Sequence, residues 1–178
     1  GVEVRPIGQL TGTSEFNEVF FSGARTDADL VVGAPGEGWA VAMGTLGFER
    51  GVSTIGQQVG FRRELDHLIT LAKATGAWDD LVLRDRLRHA EVELEVIRLN
   101  ALRMLADVST HSDSGSGQAS ITKLLWGTWH RTLGDLAMAV QGAAALTCGP
   151  GYDLSDWQRL FLFTRADTIY GGSNEVQR

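Results

Sequence analysis

From residue 36 onward apolar side chains recur every three or four positions, and that period predicts helices. The clearest run is Leu83, Leu87, Ala90, Leu94, Ile97, Ala101, Met104 and Val108. It forms one stripe, with Arg84, Arg88, Glu91 and Glu95 on other faces. Asp79 or Asp80 can cap this helix. The stripe would serve a coiled-coil seam or an antiparallel bundle core, and its short length between other helices favours the bundle. Upstream, residues 37–75 read as one long helix or two in series. Gly44, Gly47, Gly51, Gly56 and Gly60 lower its helix preference, so the expected break is at Gly47-Phe48-Glu49-Arg50-Gly51, and Gly76 suits the C-cap. A polar loop at 111–117 leads to a third helix over about 119–145, with Ile121, Leu124, Leu125, Leu133, Leu136, Val140 and Ala144 inward. Gly149-Pro150-Gly151 ends that region. A fourth helix covers about 155–167, and Ser173 to Arg178 reads as the first turn of another. Four helical segments with short connections predict a mainly α fold, an up-down four-helix bundle.

The first 35 residues follow another pattern. Phe16-Asn17-Glu18-Val19-Phe20-Phe21 is rich in strand formers, and Leu30-Val31-Val32 is a second short apolar run; Gly, Asp and Pro bound both. Two short extended segments are too few for an independent sheet. Residues 1–35 are therefore expected to be the end of a β-domain, a short β remnant before a helical-bundle domain at 36–178.

Composition narrows the function. A net charge of −6 argues against a nucleic-acid surface, which is usually basic. No apolar run reaches the roughly 20 residues of a transmembrane span, and the N-terminus shows no signal-peptide pattern. Cys148 is the single cysteine, which fits a cytoplasmic, reducing setting, and no histidine base is evident nearby. His67, His89, His111 and His130 are scattered without metal-ligand spacing. The tryptophans at 39, 78, 126, 129 and 157 are expected to pack between helices. No Gly-rich run has a phosphate-loop or dinucleotide pattern.

Several segments, in order, resemble the acyl-CoA dehydrogenase family. Phe16 to Phe21 is similar to the last strands of the family's middle β-domain. Val32-Gly33 and Gly36-Glu37-Gly38-Trp39 resemble the opening of its C-terminal helical domain. Ala42-Met43 and Phe48-Glu49-Arg50 resemble the first helix of that domain. Lys123 sits on the third helix, and Gln141-Gly142 lies where the family has a Gln-x-x-Gly-Gly motif. Arg165-Ala166-Asp167 precedes Ile169-Tyr170-Gly171-Gly172-Ser173-Asn174-Glu175-Val176-Gln177-Arg178, which resembles the IYEGTSEIQR signature. Two departures stand out: the paired glycines after Gln141 are absent, and Arg62-Arg63-Glu64-Leu65 lacks the Arg-x-x-Phe-Gly element. Both elements usually contact FAD across a subunit boundary. The resemblance implies the C-terminal part of an enzyme, not a complete one.

The resemblance also implies a reaction of fatty-acid and lipid metabolism. A carboxylate takes the α-proton of an acyl-CoA thioester while a hydride leaves the β-carbon for FAD. Most members carry that carboxylate at the third residue of IYEG, which is Gly171 here. A subgroup that includes the isovaleryl and long-chain enzymes has glycine there and takes its base from a Glu-Arg pair on the first helix of the domain. Glu49-Arg50 matches that pair, so Glu49 is the expected base and Arg50 a substrate contact. The Gly171 N–H is expected at the thioester oxygen. Tyr170 is expected to line the acyl pocket or to pack in the core. Gly172, Ser173 and Glu175 match the segment that contacts FAD, and Gln141 is a weaker FAD contact. The implied partners are electron-transfer flavoprotein and further subunits, in a homo- or hetero-oligomer of two or four. Two alternatives remain: a noncatalytic subunit that completes a partner's FAD site, and an acyl-CoA oxidase.

Overall fold

The computed structural model describes residues 1–109 and 115–178, and side chains apart from those at 47–55 and 107–116. The loop expected at 111–117 falls mostly outside the described residues, as does the side chain of Val108.

β1 (Val2–Ile7) and β2 (Phe16–Phe21) form an antiparallel two-stranded ribbon, with Val2 opposite Phe21 and Ile7 opposite Phe16. The strand at 16–21 is as expected, but its partner is 2–7. The apolar run at 30–32 is not a strand: Ala28–Leu30 form a single 3₁₀ turn, and Val31 and Val32 are exposed. Asp27, Asp29 and Gly33, close to that run, favour local turns over ladder pairing. Two long-range bonds fasten the ribbon to the bundle. The Tyr152 hydroxyl donates to the Leu10 carbonyl at 2.6 Å, and Arg159 Nη1 donates to the Thr11 carbonyl at 3.0 Å.

α1 (Gly38–Thr75) is one helix, without the break expected at its glycines. Each glycine costs about 1 kcal/mol against alanine, yet a break would strand several backbone donors and acceptors. Gly76 closes the helix in the left-handed conformation, at φ 80°, as its sequence position suggests. α2 (Leu81–Ser109) follows, and the cap is Asp80: its Oδ1 accepts from the amides of Val82 at 2.8 Å and Leu83 at 3.1 Å. Asp80→Ala should lower stability by about 1 kcal/mol, read as a lower urea midpoint at unchanged slope.

α3 (Gly115–Gln141) ends earlier than its pattern suggests, and Gly142–Leu146 tighten into a 3₁₀ segment. α4 (Asp156–Thr164) starts with a capping box between Ser155 and Gln158. It stops short of 167 because Ala166–Thr168 form a separate 3₁₀ turn. α5 (Asn174–Gln177) is a single turn.

The core lies among α1, α2 and α3. α1 contributes Phe61, Leu65, Leu68, Ile69 and Ala72, and α2 the stripe from Leu83 to Ile97. The Trp129 indole donates to the Ala90 carbonyl at 2.8 Å, locking α3 to α2. The inward face of α3 differs from expectation. Ile121 and Ala144 are exposed, while Thr122, Lys123 and His130 are buried with Trp126, Trp129, Leu133, Leu136 and Val140. Polar residues take these places because each finds a partner; Thr122, for example, accepts from Asn100 Nδ2 at 2.7 Å. Trp39 is exposed, against expectation, whereas Trp126 and Trp129 pack in the core.

Glycines on α3 admit the last third of the chain. A Cβ on Gly134 would stand 2.6 Å from Thr164 Oγ1 and 3.1 Å from Phe161 Cα, and one on Gly127 would stand 2.9 Å from the Asp167 carbonyl oxygen. Gly134→Ala should therefore push α4 off α3 and cost about 1–3 kcal/mol, measurable by thermal unfolding.

Candidate functional site

The contact at Gly127 presses Asp167 against α3, and there a chain of charged side chains crosses the bundle. Asp167 is 1 % exposed and His130 is 6 % exposed. His130 Nδ1 lies 2.6 Å from Asp167 Oδ2, and His130 Nε2 lies 2.9 Å from Glu64 Oε2 on α1. Carboxylates only accept, so both ring nitrogens donate and the ring is an imidazolium. Burial opposes that charge, but the bonds to Asp167 and Glu64 outweigh it and raise the His130 pKa from 6.5 to about 9. The ring packs against Phe61, 4.6 Å between centroids, and lies nearly parallel to Trp129.

Two more side chains converge on Asp167. The Tyr170 hydroxyl donates to Asp167 Oδ1 at 2.7 Å. Burial and then this bond hold the Tyr170 phenol well above its ordinary value. The Lys123 ammonium donates to the Asp167 backbone carbonyl. It also sits 4.2 Å from the Trp126 ring centre and 4.8 Å from that of Tyr170, and burial lowers its pKa. Two carboxylates meet two cations, so the cluster is neutral overall, as a buried ionic group must nearly be. Its outer end opens on a cleft of about 330 Å³ lined by Thr11, Glu15, Glu64, His130, Asp156 and Arg159, among others.

The expected site residues at the chain's end adjoin this cluster. Tyr170 lies 6.2 Å from Trp126 between ring centres and is partly open to solvent. Gly171 and Gly172 adopt φ of 65° and 94°, a region that side chains disfavour. A Cβ on Gly171 would meet only Lys123 Cε, at 3.8 Å, whereas one on Gly172 would collide with the Gln177 side chain. The Gly171 carbonyl accepts from Gln177 Nε2 at 3.1 Å. Its N–H has no acceptor among the described residues. Ser173 is the N-cap residue of α5. Bonds from its own backbone amide and from Ser173 hold the Glu175 carboxyl below its usual range.

Other expected residues stand apart. Gln141, at the end of α3, donates to the Ala137 carbonyl at 3.2 Å and accepts from Ser155 Oγ at 3.5 Å. Arg62 pairs with Asp66 and Glu91 on the bundle surface. Glu49 and Arg50 belong to α1, and their side chains lie outside the described residues. Sequence reasoning missed the joint role of Glu64, Lys123, His130 and Asp167. A signal was present: Lys123 and His130 fall on the face of α3 that carries Trp126, Leu133 and Val140. No group of three or more His, Cys, Asp or Glu side chains is placed to hold a metal ion among the described residues. No described helix is long and apolar enough to cross a membrane.

This bundle and its terminal Gly-Gly turn match a known domain, described as acyl-CoA dehydrogenase, C-terminal domain, over residues 36–178. The chain belongs to the acyl-CoA dehydrogenase family. It is 58 % identical over 178 residues to the acyl-CoA dehydrogenase IpdE1 of Mycolicibacterium smegmatis (strain ATCC 700084 / mc(2)155), covering 100 % of this chain and 44 % of that protein. The solved structure of the Tcur3481-Tcur3483 steroid ACAD superposes with a TM-score of 0.84 at 23 % identity, over 100 % of this chain and 46 % of that one. The FAD complex of PigA does so with a TM-score of 0.77 at 22 % identity, over 99 % and 46 %. The chain thus spans less than half the length of the relatives it matches.

Proposed function

We propose that this chain is the C-terminal part of an FAD-dependent enzyme that introduces an α,β double bond into an acyl-CoA thioester, with Glu49 as the base. The observation that carries this reading is the state of the carboxylates around Gly171. Position 171, where most of the family has its base, has no side chain. Asp167 is bonded to His130 and Tyr170, and Glu64 to His130. Glu175 is held by its own amide and Ser173. Asp167 and Glu64 are thus engaged by the histidine, and Glu175 is exposed on α5. Glu49, on the helix that also carries Glu64, is the candidate by the resemblance to the subgroup with glycine at the signature's third position.

The Gly171 N–H, without an acceptor of its own, is suited to bind the thioester oxygen as charge develops there. Arg50, adjacent to the base, is assigned to the substrate. Tyr170, exposed and bonded to Asp167, is assigned to the wall of the acyl pocket. The fit to FAD is that of one edge of the cofactor. Gly171 and Gly172 present bare backbone, and Asn174 Oδ1 is buried without a partner, an acceptor that suits a donor from a bound group. Gly172, Ser173 and Glu175 would hold that edge; Gln141 is a weaker candidate, being already bonded within its own chain. When bound, FAD supplies the hydride acceptor. The chain's own residues bind the thioester, orient its α-carbon and accept the proton. Electron-transfer flavoprotein as the electron acceptor and an oligomer of two or four subunits, equal or unequal, complete the proposal. The test is anaerobic mixing of the full-length holoprotein with straight, branched and steroid-derived acyl-CoA thioesters. Loss of oxidised-flavin absorbance with one of them is expected; persistence of the absorbance with all of them contradicts the reading.

A second reading has its own observation. Gln141 and Arg62, at the places where relatives contact FAD across a subunit boundary, are both bonded within this chain. That suits a noncatalytic subunit that completes a partner's FAD site. Stoichiometric FAD with turnover in the full-length chain purified alone removes this alternative. Peroxide yield in air separates dehydrogenase from oxidase.

A further inference from the structure

We propose that His130 is a positioning residue, a clamp that ties the helix carrying Glu49 to the turn carrying Gly171 by bridging Glu64 and Asp167. The inference rests on the dehydrogenase reading, which needs an acid from α1 and a backbone donor from the chain's end at one reacting carbon. These two parts are more than a hundred residues apart in sequence. The polar contact that joins them side chain to side chain among the described residues is Glu64–His130–Asp167, with spans of 2.9 and 2.6 Å, beside the aromatic run Phe61–Trp126–Tyr170.

Each link is short and charge-assisted, and such bonds fix geometry more stiffly than apolar contact. Asp167 is held from every side: His130 and Tyr170 take its carboxylate, Lys123 takes its carbonyl oxygen, and Gly127 leaves room for the backbone. The turn then continues within four residues to Gly171. On the other side, Glu64 lies one helical turn beyond Phe61, whose ring packs at a tilt against His130. A shift of α1 against the terminal turn must therefore break a buried ionic bond. The other charged groups facing the histidine across the cleft, Glu15, Asp156 and Arg159, sit at its rim.

The test uses the full-length holoprotein with Glu64→Ala and Glu64→Gln. Glu64 is partly exposed, so neither change buries a new charge. Glutamine keeps a carbonyl that accepts from His130 Nε2; alanine keeps nothing. Amide hydrogen exchange reads the clamp without reference to catalysis. Glu64→Ala is expected to speed exchange about tenfold in residues 166–172, with the amides of α2 unchanged. The same variant should lower kcat about tenfold and change KM by less than about twofold, because binding contacts stay while alignment is lost. Glu64→Gln should restore both to within about twofold. Unchanged exchange at 166–172, a uniform rise through the whole bundle, or equal defects in both variants overturns the clamp. Absence of turnover in the unsubstituted protein sinks the dehydrogenase reading, while the exchange result still upholds or overturns the clamp.

Discussion

The full-length enzyme carrying Glu49→Gln is expected to turn over its acyl-CoA substrate about a thousandfold more slowly, with its flavin absorbance and unfolding temperature unchanged. Glutamine has the shape of glutamate but cannot accept a proton from carbon. A positioned general base is worth roughly 10²–10⁴ in rate. Asp167 and Glu64 are engaged by His130, so neither is set to substitute. A surface ion pair at Glu49 would behave differently. Its loss costs about 1 kcal/mol or less in stability and leaves the rate alone. The two roles are separated by measuring kcat and the unfolding midpoint on the same preparation.

The second large effect concerns His130. His130→Leu removes the cation between two carboxylates and leaves Asp167, 1 % exposed, without it. Breaking a buried pair in this way costs about 3–5 kcal/mol. The wild-type protein should show the same interaction as a pH dependence. The folded-state pKa of His130, about 9, lies above the ordinary 6.5, so the folded state holds the proton more tightly. That contribution is complete below about pH 6.5 and is lost as pH rises through about 9. From the size of the shift it amounts to about 3 kcal/mol. Burial lowers the Lys123 pKa, so its slope has the opposite sign. Tyr170, held above its ordinary 10.0, acts only at higher pH. Urea midpoints of wild type and His130→Gln between pH 6 and 9.5 isolate the histidine's share. The wild-type midpoint should fall across that range, and the variant should stay nearly flat.

The bundle was legible because apolar spacing reports helices directly. The α2 stripe from Leu83 to Met104 is buried as read, and Gly76 caps α1 as read. Ends and polar burial were less legible. α4 stops at Thr164 because the 3₁₀ turn that seats Asp167 follows it, a tertiary demand with no local signal. The strand at Val2–Ile7 was not read, because its residues carry no long apolar run and its pairing depends on register with β2. The charged cluster escaped notice because Glu64, His130 and Asp167 come from three separate parts of the chain, and a lone histidine on a helix has no motif. The terminal Gly-Gly turn was readable, since its decapeptide is specific and both glycines adopt positive φ. The side chain of Glu49 rests on the resemblance to the subgroup with glycine at the signature's third position.

In the proposed enzyme an acid from α1 and the backbone amide of Gly171 serve one reacting carbon. A crystal structure of the full-length protein with FAD and an unreactive acyl-CoA analogue tests it most directly. The Glu49 carboxylate is expected within about 3.5 Å of the α-carbon, with the Gly171 N–H donating to the thioester oxygen of the same ligand. A Glu49 carboxylate turned to solvent, with the thioester bound elsewhere or not at all, contradicts it.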